Sequence, residues 1–256
     1  MGSTRRISPS LFRSAARRWA AALSCCWGLF SPGTSSAEEW SPAAVPQGEA
    51  VLVGSSSFVQ SFGQLIEAEL HGWGYPVTRQ GVSGAGLARP DFRDMNQVLE
   101  SLPISGSTAA VFVYIGVNDA QPLWLYPEER DAYGVTLLPF GSAAWDSVYA
   151  RRTRDFYERI CQRGAQRAVV LLPVDVNRPD LHRRLERIRN LQMQAASRSS
   201  CAVALDTSGD LGNFEVDGVA KRLPDGFHMS TLGARIVWER VRAEVVRLLS
   251  EPRQDG

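Results

Sequence analysis

The sequence predicts an α/β fold in three layers, with a central parallel sheet covered by helices on both faces. Three observations predict it. Short β-rich runs alternate with stretches of helical periodicity from residue 50 to residue 249. Two of the runs, 109–115 and 168–172, are continuously apolar, as strands buried on both faces are. The longer runs stop at Gly54, Gly116 and Pro173, where a chain can leave a sheet.

Element by element, residues 50–53 read as a first strand, ended by Gly54. Residues 58–72 carry Phe58, Phe62, Leu65, Ile66 and Leu70 on one helical face. A short strand at 76–78 and a helix at 92–99 lead to the strand at 109–115. Residues 120–143, with Pro122, Pro127, Pro139, Trp124 and Tyr126, read as a long loop or lid. A helix at 144–163, the strand at 168–172 and a helix at 181–197 follow. The arginine run at 183–189 reads as the solvated face of that helix. A strand at 202–205 and a helix at 231–249, capped by Ser230 or Thr231, complete the pattern. No internal repeat is visible.

With 256 residues, 44% hydrophobic and 21% charged, the chain can build one packed domain and is not globally disordered. Twenty-eight Lys and Arg balance 27 Asp and Glu, which leaves no electrostatic footprint for nucleic acid. Four cysteines without a CxxC pair, and histidines only at 71, 182 and 228, leave little for a metal site. His71 and His182 fall in helical stretches and read as surface residues.

The first forty residues differ from the rest. Arg5, Arg6, Arg13, Arg17 and Arg18 precede an apolar run at 19–30, and Ser35, Ser36 and Ala37 offer a small-residue cleavage site. That order is the pattern of a secretory signal peptide over 1–37, followed by a Pro- and Ala-rich linker at 38–48 and one domain at 49–250. The expected address is periplasmic or secreted. Cys26 is a poor lipoprotein site, and Arg5-Arg6 a weak twin-arginine signal. No later stretch reaches eighteen apolar residues, so no stable membrane span is expected after cleavage. Cys161 and Cys201 would then remain. An oxidising compartment permits a disulfide between them, but the preferred reading is two buried thiols, one on a helix and one beside a strand.

In a parallel sheet the ligand site lies beyond the carboxyl ends of the strands. Four segments collect there or before the last helix: Ser55, Ser56 and Ser57; Gly81 to Gly86; Gly116-Val117-Asn118-Asp119; and Asp225-Gly226-Phe227-His228. Ser, His and Asp together make a nucleophile at neutral pH. The imidazole takes the hydroxyl proton, and the carboxylate holds its tautomer. Asn118 and backbone N–H groups near Gly84 or Gly86 could meet a developing oxyanion. Each segment alone also fits an ordinary turn or helix cap. Gly81, Gly84 and Gly86 do not form a dinucleotide or P-loop fingerprint.

Taken in this order, the four segments resemble blocks I, II, III and V of the SGNH (GDSL-like) hydrolases. Gly54-Ser55-Ser56 resembles the Gly-Asp-Ser block, Gly116 to Asp119 matches Gly-x-Asn-Asp, and Asp225 to His228 matches Asp-x-x-His. Gly86-Leu87-Ala88-Arg89-Pro90-Asp91-Phe92, Asn118 to Gln121, and Trp145 with Tyr149 further resemble the bacterial DUF459 branch. The resemblance covers about 50–247. It implies a flavodoxin-like SGNH-hydrolase fold, with Ser56 as nucleophile, His228 as base and Asp225 as its orienting carboxylate. It implies an oxyanion hole from Asn118, the nucleophile's N–H and a glycine, either Gly84 or Gly86. Asp119 reads as structural. Ser55 stands where the family has Asp, and the triple serine leaves Ser57 open as the nucleophile. Arg89, Asp91, Trp124 and Trp145 are softer candidates for a sugar or acyl pocket. The activity implied is that of an exported serine esterase or acyltransferase, which requires no metal or organic cofactor. Its substrate would be small-molecule or glycan O-acyl esters, acetyl esters first, at the bacterial envelope. A second reading, motivated by Ser55, is an inactive carbohydrate-binding envelope protein that keeps the fold. The oligomeric state stays open.

Overall fold

The computed structural model describes residues 48–209, 215–216 and 218–251. The expected signal peptide and all of the linker but Gly48 lie outside the described residues. In chain order the elements begin with β1 (Glu49–Gly54), α1 (Ser56–Val59), α2 (Ser61–Gly72), β2 (Val77–Gly81), α3 (Met95–Glu100) and β3 (Thr108–Tyr114). A 3-10 turn (Val117–Asp119) leads to β4 (Leu123–Trp124), α4 (Pro127–Tyr133), β5 (Leu137–Leu138) and α5 (Ala143–Gln162). Next come β6 (Ala168–Leu171), α6 (Pro179–Ala196), β7 (Ala202–Leu205), β8 (Glu215–Val216), β9 (Val219–Ala220) and α7 (Thr231–Ser250).

Five strands form a parallel sheet in the order β2-β1-β3-β6-β7. That is the doubly wound order with its switch point between β1 and β3. The period-2 alternation of the strands sorts the core into two layers. Val51, Val53, Val111, Val113 and Val170 face Leu99, Trp145, Phe156 and Ile188, from α3, α5 and α6. Ala50, Leu52, Ala110, Phe112 and Leu171 face Phe58, Ile66, Val237 and Trp238, from α1, α2 and α7. β3 is buried along its whole length, which is why its sequence shows no polar face.

Several expectations need correcting. The helix expected at 58–72 is broken in two at Gln60, which is extended (φ −100°, ψ −158°). Gly63 permits the break to fold back tightly, because a Cβ there would lie 2.3 Å from the Phe58 carbonyl oxygen. The helix expected from Phe92 starts at Met95. Asp94 caps it by accepting the Asn96 N–H at 2.9 Å. Residues 120–143 are not a free loop. They hold β4, α4 and β5, and Leu123 and Leu125 are fully buried. Arg152 pins this segment from α5. It donates to the Trp124 carbonyl at 2.9 Å, pairs with Glu129 and covers the Tyr126 ring at 4.5 Å.

The arginine run is only partly a solvated face. Arg189 is buried and pairs with Asp175 at 2.9 Å. Arg187 forms a two-pronged pair with Asp146. His182 does lie on the helix surface, between Asp175 and Glu186, at 3.3 Å from each.

The two cysteines read as thiols are joined. Cys161 at the end of α5 and Cys201 just before β7 form a disulfide, with Cα atoms 5.6 Å apart. Sequence spacing cannot reveal this, because the two meet only once α5 and β7 lie side by side. Closing a loop of 40 residues corresponds to about 4 kcal/mol in the chain-entropy account.

Candidate active site

The site forms where β1 and β3 end. Gly54 closes β1 against β3, and a Cβ there would sit 2.4 Å from the Tyr114 carbonyl oxygen. The next N–H, of Ser55, donates to that carbonyl at 2.9 Å. Ser55 is buried, and α1 begins at Ser56. Ser57 is also buried. Of the two candidate hydroxyls, Ser56 is the one that meets the imidazole.

Ser56 Oγ lies 2.7 Å from His228 Nε2. His228 Nδ1 lies 2.7 Å from Asp225 Oδ2. The other carboxylate oxygen accepts the N–H groups of Phe227 at 2.8 Å and His228 at 2.9 Å. A left-handed Gly226 (φ 73°) makes this turn possible. The partial burial of Asp225 opposes its charge. The hydrogen bonds from the His228 ring and from the two backbone N–H groups outweigh that, and hold its carboxyl down at about 2. An ionised Asp225 accepts from Nδ1–H, which leaves Nε2 free to accept the Ser56 proton. Ser230, the N-cap of α7, follows directly and fixes where the turn ends.

Beyond β3 the chain turns at Gly116 (φ 136°), where a Cβ would strike Pro173 at 2.3 Å. That turn presents Asn118. Its amide donates to the Ala85 carbonyl at 2.9 Å, and Gln121 donates to the Asn118 backbone carbonyl. Asp119 points the other way, into the core. It accepts the Ala88 N–H at 2.8 Å and the Tyr149 hydroxyl at 2.9 Å. Burial pushes its carboxyl up to about 6 against those donors and the nearby Arg152.

A pocket of about 300 Å³ opens beside Ser56. Ser55, Ser57, Asn118 and His228 line it, together with Val117, Ala120, Gln121, Leu181 and Phe227. The last five are not among the sequence's site candidates, although all but Leu181 fall inside the motifs quoted above. Gln121, three residues after Asn118, was the findable one, a polar side chain in the same turn. Phe227 lies inside the Asp-x-x-His motif, whereas Leu181 reaches the pocket through the fold and no local pattern marks it.

The other candidates lie elsewhere. Gly84 backs onto the Phe92 ring and Gly86 onto the Asp119 carboxylate, and neither lines the pocket. Arg89 and Asp91 pair with each other at 2.7–2.8 Å, away from it. Trp124 is covered by Arg130 at 4.7 Å. Trp145 is a correction: it is fully buried, stacked on Tyr149 at 4.7 Å, and its Nε1–H donates to the Gln121 carbonyl at 3.0 Å. It supports the pocket wall from behind. Among the described residues no cluster of His, Cys, Asp and Glu could hold a metal, and no helix is long and apolar enough to cross a membrane.

A family model described as "Protein of unknown function (DUF459)" matches residues 50–244. The chain belongs to the DUF459 family. No curated protein matches it in sequence. Solved structures match the fold. One is LAE5, an alpha/beta hydrolase enzyme from the metagenome of Lake Arreo, Spain, with TM-score 0.53 and 15% identity over 80% of this chain and 98% of that one. Another is a member of the lipolytic protein G-D-S-L family from Veillonella parvula, with TM-score 0.50 and 13% identity over 78% and 98%. A third is the lipase Lip_vut3 from a goat rumen metagenome, with TM-score 0.50 and 14% identity over 78% and 99%. This DUF459 chain therefore has the three-layer SGNH-hydrolase fold.

Proposed function

We propose that this DUF459 protein is an exported serine ester hydrolase that works through an acyl-Ser56 intermediate. One observation carries the reading: two successive 2.7 Å hydrogen bonds link Ser56, His228 and Asp225 at the edge of the pocket. Ser56 Oγ attacks the ester carbonyl carbon while His228 Nε2 takes its proton. Asp225 stabilises the imidazolium. The carbonyl oxygen becomes an oxyanion, met by the Asn118 amide and the Ser56 N–H. Collapse breaks the bond to the alkoxy oxygen, which leaves with the proton from His228. Water, activated by the same imidazole, then splits the acyl-serine. A sugar hydroxyl in place of water would make the reaction a transfer.

A pocket of about 300 Å³ is at the small end of ligand sites, which favours a short acyl group such as acetyl. The Cys161–Cys201 disulfide and the signal-like residues 1–37 support an oxidising address, periplasmic or secreted. O-acylated envelope glycans are the substrate class that this reading assigns. Fluorophosphonate labelling followed by peptide mass spectrometry tests the mechanism. Ser56 should carry the label, Ser56→Ala should abolish both label and p-nitrophenyl acetate turnover, and Ser57→Ala should keep both. A label that persists in both variants rejects the nucleophile.

A further inference from the structure

The pocket wall formed by α6 carries an uncompensated positive rim. Leu181 enters the pocket from the first turn of α6. Arg178, the extended N-cap residue of α6, and Arg184, one turn into the helix, lie three residues to either side of it. Both touch residues that line the pocket. The Arg178 guanidinium lies 5.2 Å from the Phe227 ring centroid. Arg184 donates to the Ala120 carbonyl at 2.9 Å and covers the Phe140 ring at 5.2 Å.

Neither guanidinium has a carboxylate partner among the described residues, while the nearby acids are engaged. Asp180 pairs with Arg183, Asp146 with Arg187, Asp175 with Arg189 and His182, and Asp225 with His228. Beneath Phe227 lies a third cation. Arg222 is buried, donates to the Phe227 carbonyl at 2.6 Å, and leaves Nε and Nη2 without hydrogen-bond partners. From Arg184 the positive surface continues into an adjoining hollow of about 250 Å³, lined by Phe140, Asp180, Arg183, Arg184 and Arg187.

We propose that the α6 rim selects esters borne on an anionic molecule, with a carboxylate or phosphate beside the acylated hydroxyl seated on Arg178 and Arg184. The proposal rests on the ester-hydrolase reading. An arginine fork suits either oxyanion, and a cation beside a partly dry pocket raises the local concentration of an anionic substrate. The adjoining hollow gives a charged chain somewhere to run, so an acidic polymer fits better than an isolated small anion.

The test measures acetate release from acetylated polygalacturonate, acetylated poly(glycerol phosphate) and acetylated xylan, the neutral reference. At low salt the wild type should favour an anionic polymer over xylan by about tenfold in kcat/KM, and the preference should shrink as salt rises. Which anionic polymer leads identifies carboxylate or phosphate as the group read. The readout is the anionic-to-neutral ratio, so losses common to all esters cancel. Arg178→Gln/Arg184→Gln should bring that ratio close to one. A ratio equal in wild type and double variant overturns the rim. If no ester is turned over above the Ser56→Ala level, the hydrolase reading fails instead. The rim is then judged by fluorescence anisotropy with labelled, unacetylated polygalacturonate. Tighter binding by the wild type than by the double variant upholds it, and equal binding rejects it.

Discussion

Two carboxylates near the same rim of the sheet live in opposite surroundings. Asp119 is fully buried beneath the turn after β3, while Asp225 stands at the surface before α7. Asp119 accepts one backbone N–H and one side-chain donor, and Asp225 two backbone N–H groups and one side-chain donor. Burial dominates at Asp119 and holds its carboxyl up at about 6. At the open site the donors dominate, and Asp225 is held down at about 2. The buried group ties the Ala88 backbone to Tyr149 and fixes a wall. The open group stays charged and turns an imidazole toward Ser56. Dehydration and the number of donors together divide scaffold from chemistry here.

The strongest way to break this contrast is Asp225→Asn. It keeps the shape but removes the charge that sets the His228 tautomer. Turnover of p-nitrophenyl acetate should fall about 10³- to 10⁴-fold, with little change in melting temperature. A variant that keeps its activity would show that Asp225 is only another turn residue.

Asp119→Asn tests the buried side through pH. The native carboxyl holds its proton more tightly than the unfolded one, so the unfolded state ionises first as pH rises. Stability from this group is therefore highest below about pH 4, falls as pH climbs to about 6, and is level beyond. Moving a carboxyl from 3.8 to about 6 corresponds to about 3 kcal/mol. Urea unfolding at pH 4 and pH 7 should show wild type losing about that much relative to Asp119→Asn. Parallel curves for the two proteins would remove burial as the cause.

The smallest effect sharpens the comparison. Asp91 also lies below the ordinary range, because Arg89 hydrogen-bonds it, yet the pair lies outside the pocket. Arg89→Ala should cost less than about 1 kcal/mol and change kcat/KM by less than about twofold. A lowered carboxyl without an imidazole beside it then marks nothing.

What the sequence revealed follows the same division. The buried strands declare themselves, since Ala109 to Tyr114 offers no polar face to confuse the reading. The proximity of Ser56, Asp225 and His228 could be anticipated because each motif sits where a parallel sheet ends. Ser56 and Ser57 could not be separated. What distinguishes them is the imidazole of His228, 172 positions after Ser56, which meets Ser56. Trp145 and the Cys161–Cys201 pair misled for a related reason: an aromatic ring or a thiol has the same letter in a core, a pocket or a bond. Leu181 and the two rim arginines are invisible locally, because only the crossover from β6 into α6 brings them to the pocket.

The link between Cys161 and Cys201 also bears on how the protein should be prepared. Bacterial cytosol would leave Cys161 and Cys201 as thiols, whereas an oxidising compartment would link them covalently. Batches from the two sources are different chemical species, so heat tolerance or shelf life measured on one should not be ascribed to the other.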